Sequence, residues 1–370
     1  MLRKIAIRLF FTFILFAALF AFAEWYLRKQ LTYIVQSEID KSGGFLEATP
    51  EFLVHFTPRG RRFVPNAHVV IKNHFLSHQD IKMDINALGF RGAEVPATKS
   101  ADELRLMFLG DSVTVVDYLP EEQIFTSLIE KDLSRVLPSR KVVSINAAIG
   151  NIGIEEEVNI LEDTLSKVQP DVIILNFYLN DSRTPWGFSG EIGDRGWLRK
   201  RSLVVEATYR VLEEQRWIAK QEVDRFGWVK ASEELDWKHK PEELKKLAAL
   251  AEYDWGSAWN ETSWEKVQTQ LQRLKELAAE TGAKVVVVAF PVSFQVQAEY
   301  VDDGPQKKVA QLAKEAGFEF FDVLPTLRSN SSENLFYDQC HLTAKGNELV
   351  AGAVGKFLLK SVILNQTKPE

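Results

Sequence analysis

Two short segments carry residues that, brought together, would make a base-activated nucleophile. The first is FLGDSVT, Phe108 to Thr114, in which Ser112 stands two residues beyond Gly110 at the end of an apolar run. The second is NLFYDQCHLTAKGN, in which Asp338 and His341 are three residues apart. A serine hydroxyl attacks an acyl carbon only when a base takes its proton. A carboxylate three residues before a histidine can accept a hydrogen bond from one ring nitrogen. The other nitrogen is then free to receive that proton. Blander readings stand beside this one. Gly-Asp-Ser after a strand also makes ordinary turns and helix caps, and His341 is one of six histidines, open to a role as a helix-start residue satisfied by its neighbour. Asp111 reads as a loop-organising residue. No second histidine lies in the later segment, so a metal site is poorly supported there, and nothing in the chain calls for a cofactor.

Acyl transfer to serine also requires fixed donors for the oxyanion. Three candidates present themselves. Asn180 follows the apolar run in NFYLNDS, a backbone N–H near Ala148 follows another in SINAAIGNIG, and the third is the N–H of Ser112 itself. Each alone is a turn or a loop-end residue.

The elements that must position these residues are legible from apolar runs. LRLMFLG (104–110), KVVSIN (141–146), DVIILNF (171–177), AKVVVVAF (283–290) and FEFFDV (318–323) read as five buried strands. Amphipathic helices are expected at about 121–137, 154–167, 306–316 and 343–359. This alternation predicts an open parallel sheet with helices on both faces, whose C-terminal strand ends form the ligand-binding edge. Ser112, Ala148, Asn180 and the Asp338–His341 pair all fall at that edge. Residues 182–283 break the rhythm. This insertion holds eight of the nine tryptophans, namely Trp186, Trp197, Trp217, Trp228, Trp237, Trp255, Trp259 and Trp264. Helical periodicity runs from 261 to 279. Most of these rings are expected to pack the insertion on the sheet, with one or two free to line a groove.

Ahead of the sheet, residues 30–103 read as a membrane-proximal extension of short strands and turns, including TPRGRRFVPNAHVVIKN and IKMDINALGFRG. Its Arg59, Arg61 and Arg62 read as a solvated turn, or as a contact for a polyanionic substrate. Residues 1–29 begin with Arg3, Lys4 and Arg8 and continue as LFFTFILFAALFAFA. Cleavage near Ala23 would make this a signal peptide. Retained, Leu9 to Leu27 would be a helix roughly 28 Å long, about one hydrocarbon thickness, with Trp25 and Tyr26 at the interface. The anchor is preferred, and both readings put the body outside the cytoplasm. Residues 361–370 form a tail. A net charge of -6 without a basic tract argues against nucleic acid. The single Cys340 excludes an internal disulfide.

GDSVT, the block from Asn146 to Gly153, YLND and DQCH together resemble the four blocks of the GDSL/SGNH hydrolase superfamily, and the extension resembles that of its membrane-associated bacterial members. The resemblance covers about 104–182 and 283–360. It implies a flavodoxin-like three-layer fold and hydrolysis of esters or thioesters. Ser112 then matches the nucleophile, His341 the base, Asp338 its orienting acid and Asn180 a side-chain oxyanion donor. Ala148 stands where the family usually has a glycine donor. The substrate class it implies is an acylated glycan, chiefly its O-acetyl groups, with a lipid ester next. Two other readings keep some weight: an acyltransferase with the same centre, and a tethered glycan-binding protein with a decayed site.

Overall fold

A computed structural model of the chain describes residues 2–41, 46–47, 54–57, 59–182 and 227–364, with isolated positions between 198 and 212. The N-terminal apolar run lies within one helix, α1, Leu2–Lys41. Its part Arg3–Leu27 is long and apolar enough to cross a membrane, with mean hydropathy 2.4 and none of it buried by the rest of the chain. At about 1.5 Å per residue, α1 is roughly 60 Å long, about twice a hydrocarbon core. It therefore continues past Lys29, where strands and turns were expected. QLTYIVQSEIDK holds neither Gly nor Pro, and the first helix breakers are Gly43 and Gly44. Near the end of the apolar part, Glu24 accepts hydrogen bonds from Ser202 Oγ at 2.9 Å and Val204 N at 3.0 Å.

The extension then folds as short strands: β1 (Leu46–Glu47), β2 (Val54–Thr57), β3 (Gly60–Phe63), β4 (His68–Ile71) and β5 (Ile81–Asp84). β2 and β3 pair as an antiparallel hairpin, while β4 lies between β1 and β5. The arginines between β2 and β4 are neither free in solvent nor open to a polyanion. Arg59 pairs with Glu162 and Asp163, and Arg62 pairs with Asp163 at 2.7 Å. The Arg61 backbone N–H donates to Glu156 at 3.2 Å. All three acids lie on one helix of the sheet domain, so the basic cluster docks the hairpin.

The central sheet consists of β6 (Glu103–Leu109), β7 (Lys141–Asn146), β8 (Val172–Tyr178), β9 (Lys284–Phe290) and β10 (Glu319–Asp322). Every residue of β6 and β8 is buried, which explains why they are mainly apolar and do not alternate. All pairings are parallel, in the order β10-β9-β8-β6-β7. Counted from β6 this is the flavodoxin-like order 2-1-3-4-5, whose direction reverses between β6 and β8 and opens a crevice at their C-terminal ends. The helices are α2 (Ser112–Val115), α3 (Phe125–Val136), α4 (Ile154–Val168), α5 (Gly227–Glu234), α6 (Pro241–Leu250), α7 (Trp264–Thr281), α8 (Ser293–Gln297), α9 (Gly304–Ala316), α10 (Leu324–Arg328) and α11 (Ala344–Phe357). α3 packs with α11, and α4 and α9 each pack with α7, giving helices on both sheet faces.

In the insertion, α5, the turn that joins it to α6, and the 3-10 turn Trp255–Trp259 dock through rings. Trp228, Trp237 and Trp255 surround Phe294 of α8 at centroid distances of 6.1, 4.8 and 5.3 Å. Trp264 stacks on Phe177 of β8 at 6.0 Å. These four tryptophans are buried, so they hold the insertion to the sheet and line no open groove. Trp186, Trp197 and Trp217 fall outside the described residues.

Candidate active site

β6 ends at Leu109, and the chain must turn at once to begin α2. Gly110 permits that turn, because a Cβ there would lie 2.2 Å from Thr114 Oγ1 and 3.2 Å from the Asn176 carbonyl. Asp111 then caps α2, its Oδ1 accepting from Val113 N at 2.9 Å. Ser112 is thereby lifted over the β6 end of the crevice, half-exposed, in agreement with the organising role expected for Asp111.

The loop before α11 brings the other members. Asp338 Oδ1 accepts the backbone N–H groups of Cys340 at 2.9 Å and His341 at 2.8 Å. Its Oδ2 lies 2.6 Å from His341 Nδ1. The other ring nitrogen, Nε2, lies 3.0 Å from Ser112 Oγ, across 229 residues of sequence. Thr343 caps α11 by accepting from Gly346 N at 3.2 Å, which fixes where the loop ends. Burial opposes ionisation of His341, yet the hydrogen bond and charge of Asp338, with Asp111 and Asp117 behind it, raise its pKa above the ordinary 6.5. Burial likewise raises Asp338, but His341 and the two backbone N–H groups outweigh it and hold the carboxylate below its usual 3.8. The pair is built to carry imidazolium against carboxylate.

Cys340 Sγ stands 3.5 Å from His341 Nδ1, so Asp338, Cys340 and His341 cluster as metal ligands would. Nδ1 is already engaged with Asp338. Burial also pushes the thiol well up, and a neutral thiol is a poor ligand.

Asn180 lies in the 3-10 turn Leu179–Ser182 that follows β8, on the far side of the crevice from Ser112. It is 6% exposed, with its amide beside Asp111. The turn is braced by the insertion, where Ser257 Oγ lies 2.5 Å from Ser182 Oγ. Ala148 differs from expectation. Its N–H donates to Asn146 Oδ1 at 3.3 Å and the residue is buried, so that donor is turned into the loop. Two residues on, Gly150 faces the nucleophile, and a Cβ there would sit 3.8 Å from Ser112 Cβ. Among the described residues, neither the Ser112 nor the Gly150 N–H has an acceptor.

Three acids went unread in the sequence. Glu157 of α4 and Asp181 are fully buried, and burial pushes both carboxyls well up, with the charge of Asp111 adding to it in both and that of Glu157 adding to it in Asp181. The two carboxyls meet through a side-chain hydrogen bond, which requires a proton on one of them. Asp254, just before the Trp255–Trp259 turn, is pushed up to about 7 by burial and by the charge of Asp111. The one sequence signal was three consecutive glutamates opening α4, since a helix cannot keep three adjacent side chains on its solvent face.

No family model matches the chain, and no curated protein matches it. Among solved structures it is similar to the acetyl xylan esterase AlAXEase at 17% identity, covering 68% of this chain and 98% of that one with a TM-score of 0.41. It is similar to TesA at 13% identity, covering 69% and 98%, with a TM-score of 0.41. A two-domain esterase (CEX) active on acetylated mannans is 16% identical over 73% of this chain and 52% of that one, with a TM-score of 0.40. The fold class rests on the strand order and the site on its own distances, not on these likenesses.

Proposed function

We propose that this chain is a serine hydrolase of the GDSL/SGNH type that removes ester-linked acyl groups. The observation that carries the reading is the continuous relay from Asp338 Oδ2 through His341 to Ser112 Oγ, at 2.6 and 3.0 Å. Ser112 Oγ attacks the ester carbon while its proton passes to His341 Nε2, and Asp338 holds the resulting imidazolium. The carbonyl oxygen becomes an oxyanion within reach of the N–H groups of Ser112 and Gly150 and the amide of Asn180. Gly150 takes the backbone role first read at Ala148. Collapse of the intermediate expels the alcohol, which takes the proton from Nε2. Water then attacks the acyl-serine, passing its proton to His341, and the carboxylic acid departs with Ser112 restored.

The substrate proposed is an O-acetylated glycan outside the cytoplasm, reached by a body tethered through α1 on the extracytoplasmic side of the membrane. Support for the tether is the exposed apolar segment Arg3–Leu27, with Trp25 and Tyr26 at its end. Support for catalysis over a decayed binding role is that the relay is intact. A fluorophosphonate tests the centre. It is expected to label the full-length protein on Ser112 alone, and folded Ser112→Ala and His341→Ala variants are expected to stay unlabelled. An adduct mapped to another residue, or full labelling of folded His341→Ala, sinks the reading.

A further inference from the structure

We propose that Arg91, in the extension, is a positioning residue that sets the geometry of the Ser112–His341 pair through three backbone carbonyls. This rests on the serine-hydrolase reading above and adds to it a part of the chain outside the four blocks. The motif INALGFRG folds as a turn organised by Asn86. Its Oδ1 accepts from Leu88 N at 2.9 Å and Phe90 N at 3.0 Å, and its Nδ2 donates to the Ala93 carbonyl at 2.9 Å. Gly89 supplies the left-handed residue, with φ +78. Arg91 leaves this turn inward, and its backbone bridges to Asn146 at the end of β7. Only 3% of it is exposed.

The guanidinium meets the segment that follows the nucleophile. Nη1 donates to the carbonyls of Val115 at 2.8 Å and Val116 at 2.5 Å, and Nη2 donates to Leu119 at 2.7 Å. Val116 needs such a hold, because it is left-handed, at φ 50 and ψ 47. A β-branched residue adopts that conformation only when its surroundings impose it. Between the clamped carbonyls of Val116 and Leu119 stands Tyr118. Fully buried, it sets its ring edge-on to His341, with centroids 5.2 Å apart and planes at 73°. One cation therefore fixes both the C-terminal end of α2, whose first residue is Ser112, and the ring against which the base rests. A planar fork reaches three carbonyls at once, which an ammonium on a flexible stem holds less firmly.

The test compares Arg91→Ala and Arg91→Lys in the full-length protein, assayed well below each variant's melting midpoint. Arg105→Lys serves as a control. Arg105 is equally buried and bonds the Val168 and Pro96 carbonyls at the opposite end of β6, away from the site. The expected result for Arg91→Ala is a kcat lower by about 10²-fold at unchanged KM, the effect of roughly 1 Å of misplacement. Arg91→Lys is expected between it and the wild type. Added methylguanidinium is expected to restore part of the Arg91→Ala rate, and Arg105→Lys is expected to keep wild-type kcat when folded. A wild-type kcat in folded Arg91→Lys, or an equal loss in Arg105→Lys, overturns the proposal. If Arg91→Ala does not fold, Arg91→Lys alone decides. Absence of labelling on Ser112 in the wild type would instead refute the hydrolase reading, so the two failures are distinct.

Discussion

Replacing Asp338 by Asn removes one charge while keeping the shape of the side chain, and the structure dictates how the amide must sit. Oδ1 of Asp338 accepts two backbone N–H groups, from Cys340 and His341. Those donors need an acceptor, so the amide oxygen of the variant takes that position and its NH2 faces His341 Nδ1. In the wild type, with Asp338 ionised, Nδ1 keeps its proton and donates it in a hydrogen bond to Oδ2 at 2.6 Å. In the variant Nδ1 must accept, so the ring proton moves to Nε2, the atom 3.0 Å from Ser112 Oγ. A protonated Nε2 cannot take the serine proton. The expected loss is about 10⁴-fold in kcat, or about 5.4 kcal/mol of barrier, without loss of fold. The pH profile supplies a second measure. Activity needs neutral His341, and the raised pKa puts the acid limb of kcat/KM above 6.5 in the wild type. Deleting the Asp338 charge lowers that pKa, so the residual activity of the variant should persist to lower pH. Steady-state hydrolysis of a nitrophenyl acetate across pH reads both. A variant within tenfold of wild type, or an acid limb that does not move down, refutes the tautomer argument.

Asn180→Ala should lower kcat by about 10²–10³-fold with KM little changed, measured on the same ester, if the amide donates to the oxyanion. Glu157→Gln should raise the melting temperature by an amount that grows as pH climbs above the ordinary carboxyl range. The buried Glu157 carboxyl has its pKa raised, so the wild type loses stability as pH climbs above the ordinary 4.5 and the unfolded chain alone ionises. A gain independent of pH would assign the effect to packing. An enzyme reporter fused after residue 41, where α1 ends, should be active only in its extracytoplasmic form. Mass measurement of the mature N-terminus then distinguishes retention of α1 from cleavage near Ala23.

What the sequence by itself determined lies at short range. Apolar runs marked the strands, most strongly β6, β8 and β9, because a strand covered on both faces has no solvent side to pattern. Asp338 and His341 could be paired from their spacing alone, since both sit in one loop and bond each other directly. The course of α1 beyond Lys29 was available too, in a stretch without Gly or Pro, but its low apolar content hid it. Tertiary structure decided the rest. That Ser112 meets His341 depends on the packing of α11 against α3, which carries the loop before α11 to the β6 end of the sheet and which no local pattern encodes. Whether Ala148 or Gly150 turns toward the serine depends on the path of one loop, because the direction of an N–H follows φ and ψ, not residue type. The arginines of the extension looked like surface charge until α4 supplied acids for Arg59 and Arg62. Arg91 looked like part of a turn until the carbonyls after α2 closed around it. In each case the partner lies far away in sequence, and a long-range contact is fixed only when the layers pack.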